Sequence, residues 1–157
     1  MVRNDKLDIS IVTHTNNLLN YIVNDVYTFQ IFDELVERMK NYPDELYEIN
    51  LAGETILIIG IKLKKRIVLI LLSEITEEFD IDAQDNNGWT ALMWACRYAH
   101  QSYSFDLIDM LLDKGVDINL VNDQGMTAMD ILAKYHKNTK NHSIIKIAKI
   151  LMAHGAE

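Results

Sequence analysis

An all-α solenoid of stacked antiparallel helix pairs is the fold this sequence predicts, on three observations. Asp85-Asn86-Asn87-Gly88-Trp89-Thr90-Ala91-Leu92 and Asn122-Asp123-Gln124-Gly125-Met126-Thr127-Ala128-Met129 carry one shared pattern, with their glycines 37 residues apart. Each copy runs into an apolar helical segment that closes on glycine, at Leu111-Leu112-Asp113-Lys114-Gly115 and Leu151-Met152-Ala153-His154-Gly155. Apolar residues after Thr90 fall at 91, 92, 95, 96 and 99, and after Phe105 at 107, 108, 111 and 112, one face at helical spacing. A period in this range marks supersecondary units, and two short helices bury their apolar faces only by stacking on neighbouring units.

The elements follow in order. Apolar positions 18, 19, 22 and 23 predict a helix from Thr15 to about Asn24, and 29, 31, 32, 35, 36 and 39 predict one from Thr28 to about Asn41. The second stops before Tyr42-Pro43, because the residue before proline is pushed out of helical geometry. Residues 1–49 are therefore read as an N-terminal helical capping unit. Residues 50–157 are read as three repeats, about 50–84, 85–121 and 122–157, in one continuous domain. The expected helices are Thr55–Lys64 and Arg66–Glu77, then Thr90–His100 and Phe105–Asp113, then Thr127–His136 and Ser143–Ala153. Thr90 and Thr127 stand where a hydroxyl caps the first free N–H groups of a helix. Gly115 stands just past a helix, where a left-handed residue closes it.

These residues resemble the ankyrin repeat, a unit of roughly 33 residues with a turn, two antiparallel helices and a Thr-Pro-Leu-His-x-Ala signature. Thr90-Ala91-Leu92-Met93-Trp94-Ala95 occupies the signature, with Ala for Pro and Met for His. Thr127-Ala128-Met129-Asp130-Ile131-Leu132 is a looser copy, and Asn50-Leu51-Ala52-Gly53-Glu54-Thr55-Ile56-Leu57 a degenerate one. Val116-Asp117-Ile118-Asn119 and Phe79-Asp80-Ile81-Asp82 match the family's inter-repeat link. The resemblance covers about residues 50–157. Turn glycine to closing glycine spans 27 residues in the second repeat and 30 in the third, longer than in the family. The extra residues are placed in exposed, tolerant loops at Gln101–Phe105 and Lys137–His142.

Composition narrows the function. Fifteen Lys and Arg against 23 Asp and Glu give a net charge of −8, which disfavours a nucleic-acid-binding surface. The N-terminus has no apolar signal-peptide core, and the longest apolar run, 67–72, is too short to span a membrane. The lone Cys96 excludes an intramolecular disulfide and fits a reducing, cytoplasmic setting. Five histidines show no metal-ligand spacing. The acidic stretch 80–88 lacks the glycine and closing glutamate of a calcium loop. No phosphate loop or nucleophile elbow is present. Neither catalysis nor a cofactor nor a metal is expected.

The resemblance implies a non-catalytic protein-binding module. Its concave surface would be built from turn tips and first helices. In the second repeat the implied positions are Asn86, Asn87, Trp89, Met93, Arg97 and Tyr98. In the third they are Asp123, Gln124, Met126, Lys134 and Tyr135, and in the first Leu51, Ala52, Glu54 and Lys62. Trp, Tyr, Arg and Met are enriched at interface centres. Trp89 is expected to stay partly exposed, and Trp94, which aligns with a packing leucine, to be core. The basic run Lys62-x-Lys64-Lys65-Arg66 is read as a solvated edge. Asn119 resembles the asparagine that an oxygenase hydroxylates in many ankyrin repeats, a modification that peptide mass analysis would detect. A protein partner and a monomeric chain are expected. The chain's richness in Asn, Ile, Lys and Asp resembles that of small standalone ankyrin proteins of large DNA viruses and intracellular bacteria, which engage host proteins in the host cytoplasm. The alternative is a self-associating structural or assembly subunit.

Overall fold

A computed structural model describes residues 37, 39–76 and 79–157. Most of the expected capping unit, including the helix from Thr15 and the start of the helix from Thr28, lies outside the described residues. Helical backbone at 39–41 gives way to a 3-10 turn, Pro43–Tyr47, with Pro43 in its first turn. Three helix pairs follow. They are α1 (Ile56–Lys62) with α2 (Val68–Glu74), α3 (Ala91–Arg97) with α4 (Ser104–Asp113), and α5 (Ala128–His136) with α6 (His142–Ala153). No β-strand occurs among the described residues, and one isolated bridge joins Ile49 to Thr55. The first helices pack as one row, α1 on α3 on α5, and the second helices as another, α2 on α4 on α6.

Each pair is started by the same device. Asn50, Asp85 and Asn122 each accept two backbone N–H bonds through a side-chain oxygen, from residues two and four positions ahead. This local bonding is what short Asx side chains offer a turn. Five residues after each of them, a threonine caps the first helix. Thr55 accepts from Ile58 N, Thr90 from Met93 N and Thr127 from Asp130 N. At Thr127 the cap is reciprocal, because the Asp130 carboxylate accepts from Thr127 N at 2.9 Å.

The turns also stack. Asn86 N donates to Ala52 O at 2.8 Å, and Asp123 N donates to Asn87 O at 3.1 Å. Gly88 sits at φ +76°, and a Cβ there would lie 2.9 Å from both the backbone N and a carboxylate oxygen of Asp123. Glycine is thus required twice over, by the left-handed backbone and by the neighbouring turn.

The inter-repeat links are stitched in register. Asp117 N donates to the Asp82 carboxylate at 3.0 Å. One unit later, Asn119 Oδ1 accepts from Glu157 N at 3.1 Å while its Nδ2 donates to Gly155 O at 3.0 Å. Asn119 thereby ties the third repeat's closing segment to the link before it.

One apolar core runs through all three pairs. Leu57, Ile61, Leu71 and Leu72 of the first pair, Leu92, Met93, Leu107, Ile108 and Leu111 of the second, and Ile131, Leu132, Ile147 and Leu151 of the third are buried. One expectation about solvent access is corrected. Gln101–Phe105 is no exposed loop, because Tyr103 and Ser104 are buried and Ser104 already begins α4. Its hydroxyl donates to Tyr98 O at 2.9 Å, which folds the insertion back onto the end of α3. The longer insertion at 137–142 is exposed throughout, as expected.

Candidate protein-binding site

The row of first helices carries a cluster of rings and cations that spans the three repeats. It begins with α3, where Trp94, Arg97 and Tyr98 are spaced i, i+3, i+4 and so share one helix face. The Trp94 and Tyr98 rings stack, with centroids 6.0 Å apart. Trp89, at the turn tip, lies against Trp94 with a centroid separation of 4.5 Å. The Trp94 Nε1–H donates to Asp85 Oδ2 at 3.0 Å, so the carboxylate that organises the turn also fixes the indole.

Cations from all three repeats lie over these rings. Lys62 Nζ is 4.5 Å from the Trp94 ring centre, and Lys64 Nζ is 5.1 Å from that of Tyr98. The Arg97 guanidinium is 4.2 Å from the Tyr135 ring of α5, and within 5.9 Å of Trp89, Trp94 and Tyr98. Lys134 Nζ lies 5.8 Å from Tyr135 and 3.8 Å from the sulfur of Met126. A cation held this close to a ring face gains roughly 0.5–1 kcal/mol when exposed. Lys62 is also paired with the Glu54 carboxylate.

The structure therefore sorts the expected site residues. Arg97 and Tyr98 are half-buried, while Lys134 and Tyr135 are exposed, Tyr135 at 41%, and all four converge on the cluster. Met126 flanks it. Asn86, Asn87, Asp123 and Gln124 are exposed on the turns, but the Asn86 amide is already committed to Leu51 O at 2.8 Å. Met93 is corrected: at 1% exposure it is a core residue, because the N3 position of α3 points into the stack. Trp89 is corrected in the same sense, with 8% exposed, since Trp94 and Arg97 cover it. Trp94 moves the other way, from expected core to a half-buried member of the face. Glu54 is buried under Lys62. Lys62 and Lys64, read as a solvated edge, instead lie over the rings of the second repeat. The signal for them was present in the sequence as aromatic residues at 94 and 98 opposite a basic run, but only the stacking register pairs the two.

At the far end of the same face, His136 Nε2 lies 3.1 Å from Cys96 O and 3.2 Å from Arg97 O. Both partners are carbonyl acceptors, so Nε2 carries the proton and caps the end of α3 from the next repeat. His100 stands beside it, ring centres 6.1 Å apart. Partial burial, and then the charges of His136 and Lys64, hold His100 below the usual histidine range. A histidine depressed on folding favours the native state less as it takes up a proton. Stability should therefore fall as pH drops through the ordinary histidine range, and His100→Gln should reduce that fall. Urea midpoints at pH 7.5 and 5.0 for both proteins measure it.

Among the described residues, no group of three or more His, Cys, Asp or Glu is placed to hold a metal ion. Cys96 is fully buried, and burial pushes its thiol up to about 12, far from a reactive thiolate. A thiol reagent should label Cys96 at pH 8 only after denaturant is added, and labelling of the native protein within minutes would contradict its placement. No described helix is long and apolar enough to cross a membrane.

The family profile for ankyrin repeats, in three copies, matches residues 19–120 and 75–157. An ankyrin repeat protein of fowlpox virus is 26% identical over 140 residues, covering 81% of this chain and 32% of the relative. One from Acanthamoeba polyphaga mimivirus is 38% identical over 52 residues, 33% of this chain and 8% of the relative. The NAD-capped RNA hydrolase NUDT12 of Homo sapiens is 41% identical over 51 residues, 32% of this chain and 10% of that protein, confined to its ankyrin region. The chain thus spans about a third of the length of the fowlpox relative and a tenth or less of the other two. Ankyrin repeats are in general protein–protein interaction modules. Three stacked helix pairs, Asx-Gly turns with threonine caps, and a profile match over most of the chain agree, and the chain belongs to the ankyrin-repeat family.

Proposed function

We propose that this chain is a non-catalytic protein-binding module whose partner docks on the first-helix face around Arg97, Tyr98 and Tyr135. The observation that carries the reading is the Arg97 guanidinium set among four rings from two repeats. Arginine and aromatic side chains are the types that dominate binding energy at interface centres. Here mutual stacking holds them in place before any partner arrives, so little side-chain freedom is left to lose on binding. The test replaces Tyr135 with a photo-crosslinking amino acid, and Asp106 of the exposed α4 surface in a control, in cells producing the chain. A discrete protein adduct at 135 and none at 106 is expected. Adducts at 106 alone would move the binding face to the second-helix row.

A specific observation also favours a second reading, self-association. Ile145 and Met152 of α6 are exposed, Met152 at 65%, although the corresponding Phe105 and Leu112 of α4 are covered. The last helix thus presents an apolar stripe that could receive another copy. Sedimentation across a concentration range decides it: a dimer abolished by Met152→Lys supports self-association, and a monomer throughout removes it.

A further inference from the structure

The chemistry of the partner can be read from the same face, and this step rests on the first reading above. The chain carries a net charge of −8, yet the cluster on its first helices presents cations from every repeat. Lys62 is paired with Glu54, but among the described residues Lys64, Arg97 and Lys134 have no carboxylate within salt-bridge distance. In an acidic protein, three such cations gathered on one face are out of keeping with the rest of the surface.

Lys64 adds an independent observation. It is the one described non-glycine residue at positive φ, +58°. It closes α1 in a Schellman arrangement, with Lys64 N donating to Ile61 O and Lys65 N to Gly60 O. The helices α4 and α6 close in the same way with Gly115 and Gly155. Glycine would adopt this backbone more easily than lysine. The strained position carries a lysine, and that lysine reaches Tyr98.

We propose that the face binds an acidic segment of a partner protein, in extended conformation, with carboxylates directed at Lys64, Arg97 and Lys134. The rings stack on one another or lie under these cations, which favours carboxylates over stacked nucleobases as the group received. The cations come from successive repeats. Packed helix axes lie about 8–10 Å apart, and an extended chain in the polyproline II form, with three residues per turn and about 3.1 Å per residue, presents the same face about every 9 Å. The matching segment carries Asp or Glu at about every third position.

Selection of twelve-residue peptides from a random display library against the immobilised chain tests this. The expected winners carry acidic residues three apart. A synthetic winner should bind at least tenfold more weakly to Arg97→Glu/Lys134→Glu, and more weakly at 300 mM than at 50 mM salt. Lys64→Gly should leave the melting temperature unchanged or raise it while weakening the same peptide, which separates binding from folding. Winners that are neutral or basic, yet lose affinity in the double variant, would overturn the acidic partner and keep the binding face. Winners indifferent to all these variants, or a selection with no binder, would overturn both. Tighter binding of a twelve-nucleotide oligo(dT) than of any peptide would replace the acidic segment with nucleic acid.

Discussion

Gly88→Ala is expected to lower the stability of the chain by about 2–4 kcal/mol, while Gly125→Ala costs only about 1–2 kcal/mol. Both glycines hold a left-handed backbone, φ +76° and +71°. They differ in what surrounds them. A Cβ on Gly125 would meet nothing within 4 Å, whereas one on Gly88 would press on the backbone of Asn122 and Asp123. Asp123 is itself fixed by its N–H bond to Asn87 O, so the neighbour has little room to yield. The difference between the two variants isolates the contribution of turn stacking from that of backbone strain. At about 2–4 °C per kcal/mol for a chain of this size, Gly88→Ala should melt roughly 4–16 °C below the wild type. Thermal unfolding followed by far-UV circular dichroism measures both. Equal losses at the two positions would mean that the turns do not bear on each other.

Trp89→Ala is expected to be nearly as costly, about 3 kcal/mol, because truncating a buried aromatic leaves a cavity. Trp89 retains 8% of its exposure and lies against Trp94. Its loss also removes one of the ring contacts of Trp94, whose indole keeps the hydrogen bond to Asp85 and the stack on Tyr98. Tyr135→Ala, at an exposed position, should change stability by less than about 0.5 kcal/mol. Urea unfolding of the two variants makes the comparison. A Trp89→Ala protein as stable as the wild type would place this ring on the binding surface rather than beneath it.

Repeat architecture was legible because it is written locally. An Asx residue, a glycine three positions on and a threonine two further each do their work through the nearest few backbone groups, so Asp85, Gly88 and Thr90 can be read without knowing the fold. The ring-and-cation cluster of the first-helix face was legible only in part. Arg97, Tyr98, Lys134 and Tyr135 followed from helical spacing and family register. Met93 and Trp89 were misplaced because whether a first-turn side chain faces solvent depends on the neighbouring unit, which a single repeat does not reveal. The roles of Lys62 and Lys64 depend on a contact across 32 to 34 residues of chain, between Lys62 and Trp94 and between Lys64 and Tyr98. No local pattern encodes that pairing. The buried Tyr103 was missed for a related reason: an insertion without apolar periodicity can still fold back on the helix it follows.

The central claim is that the first-helix face carries partner binding. Calorimetric affinities of the protein captured through residue 135 test it most directly, measured against the wild type, Arg97→Glu and Asp106→Lys. Arg97→Glu should weaken binding by at least thirtyfold, corresponding to about 2 kcal/mol for loss of an interface anchor, with Asp106→Lys unchanged. Undiminished binding by Arg97→Glu, with loss in Asp106→Lys, would contradict the account and move the site to the second-helix row.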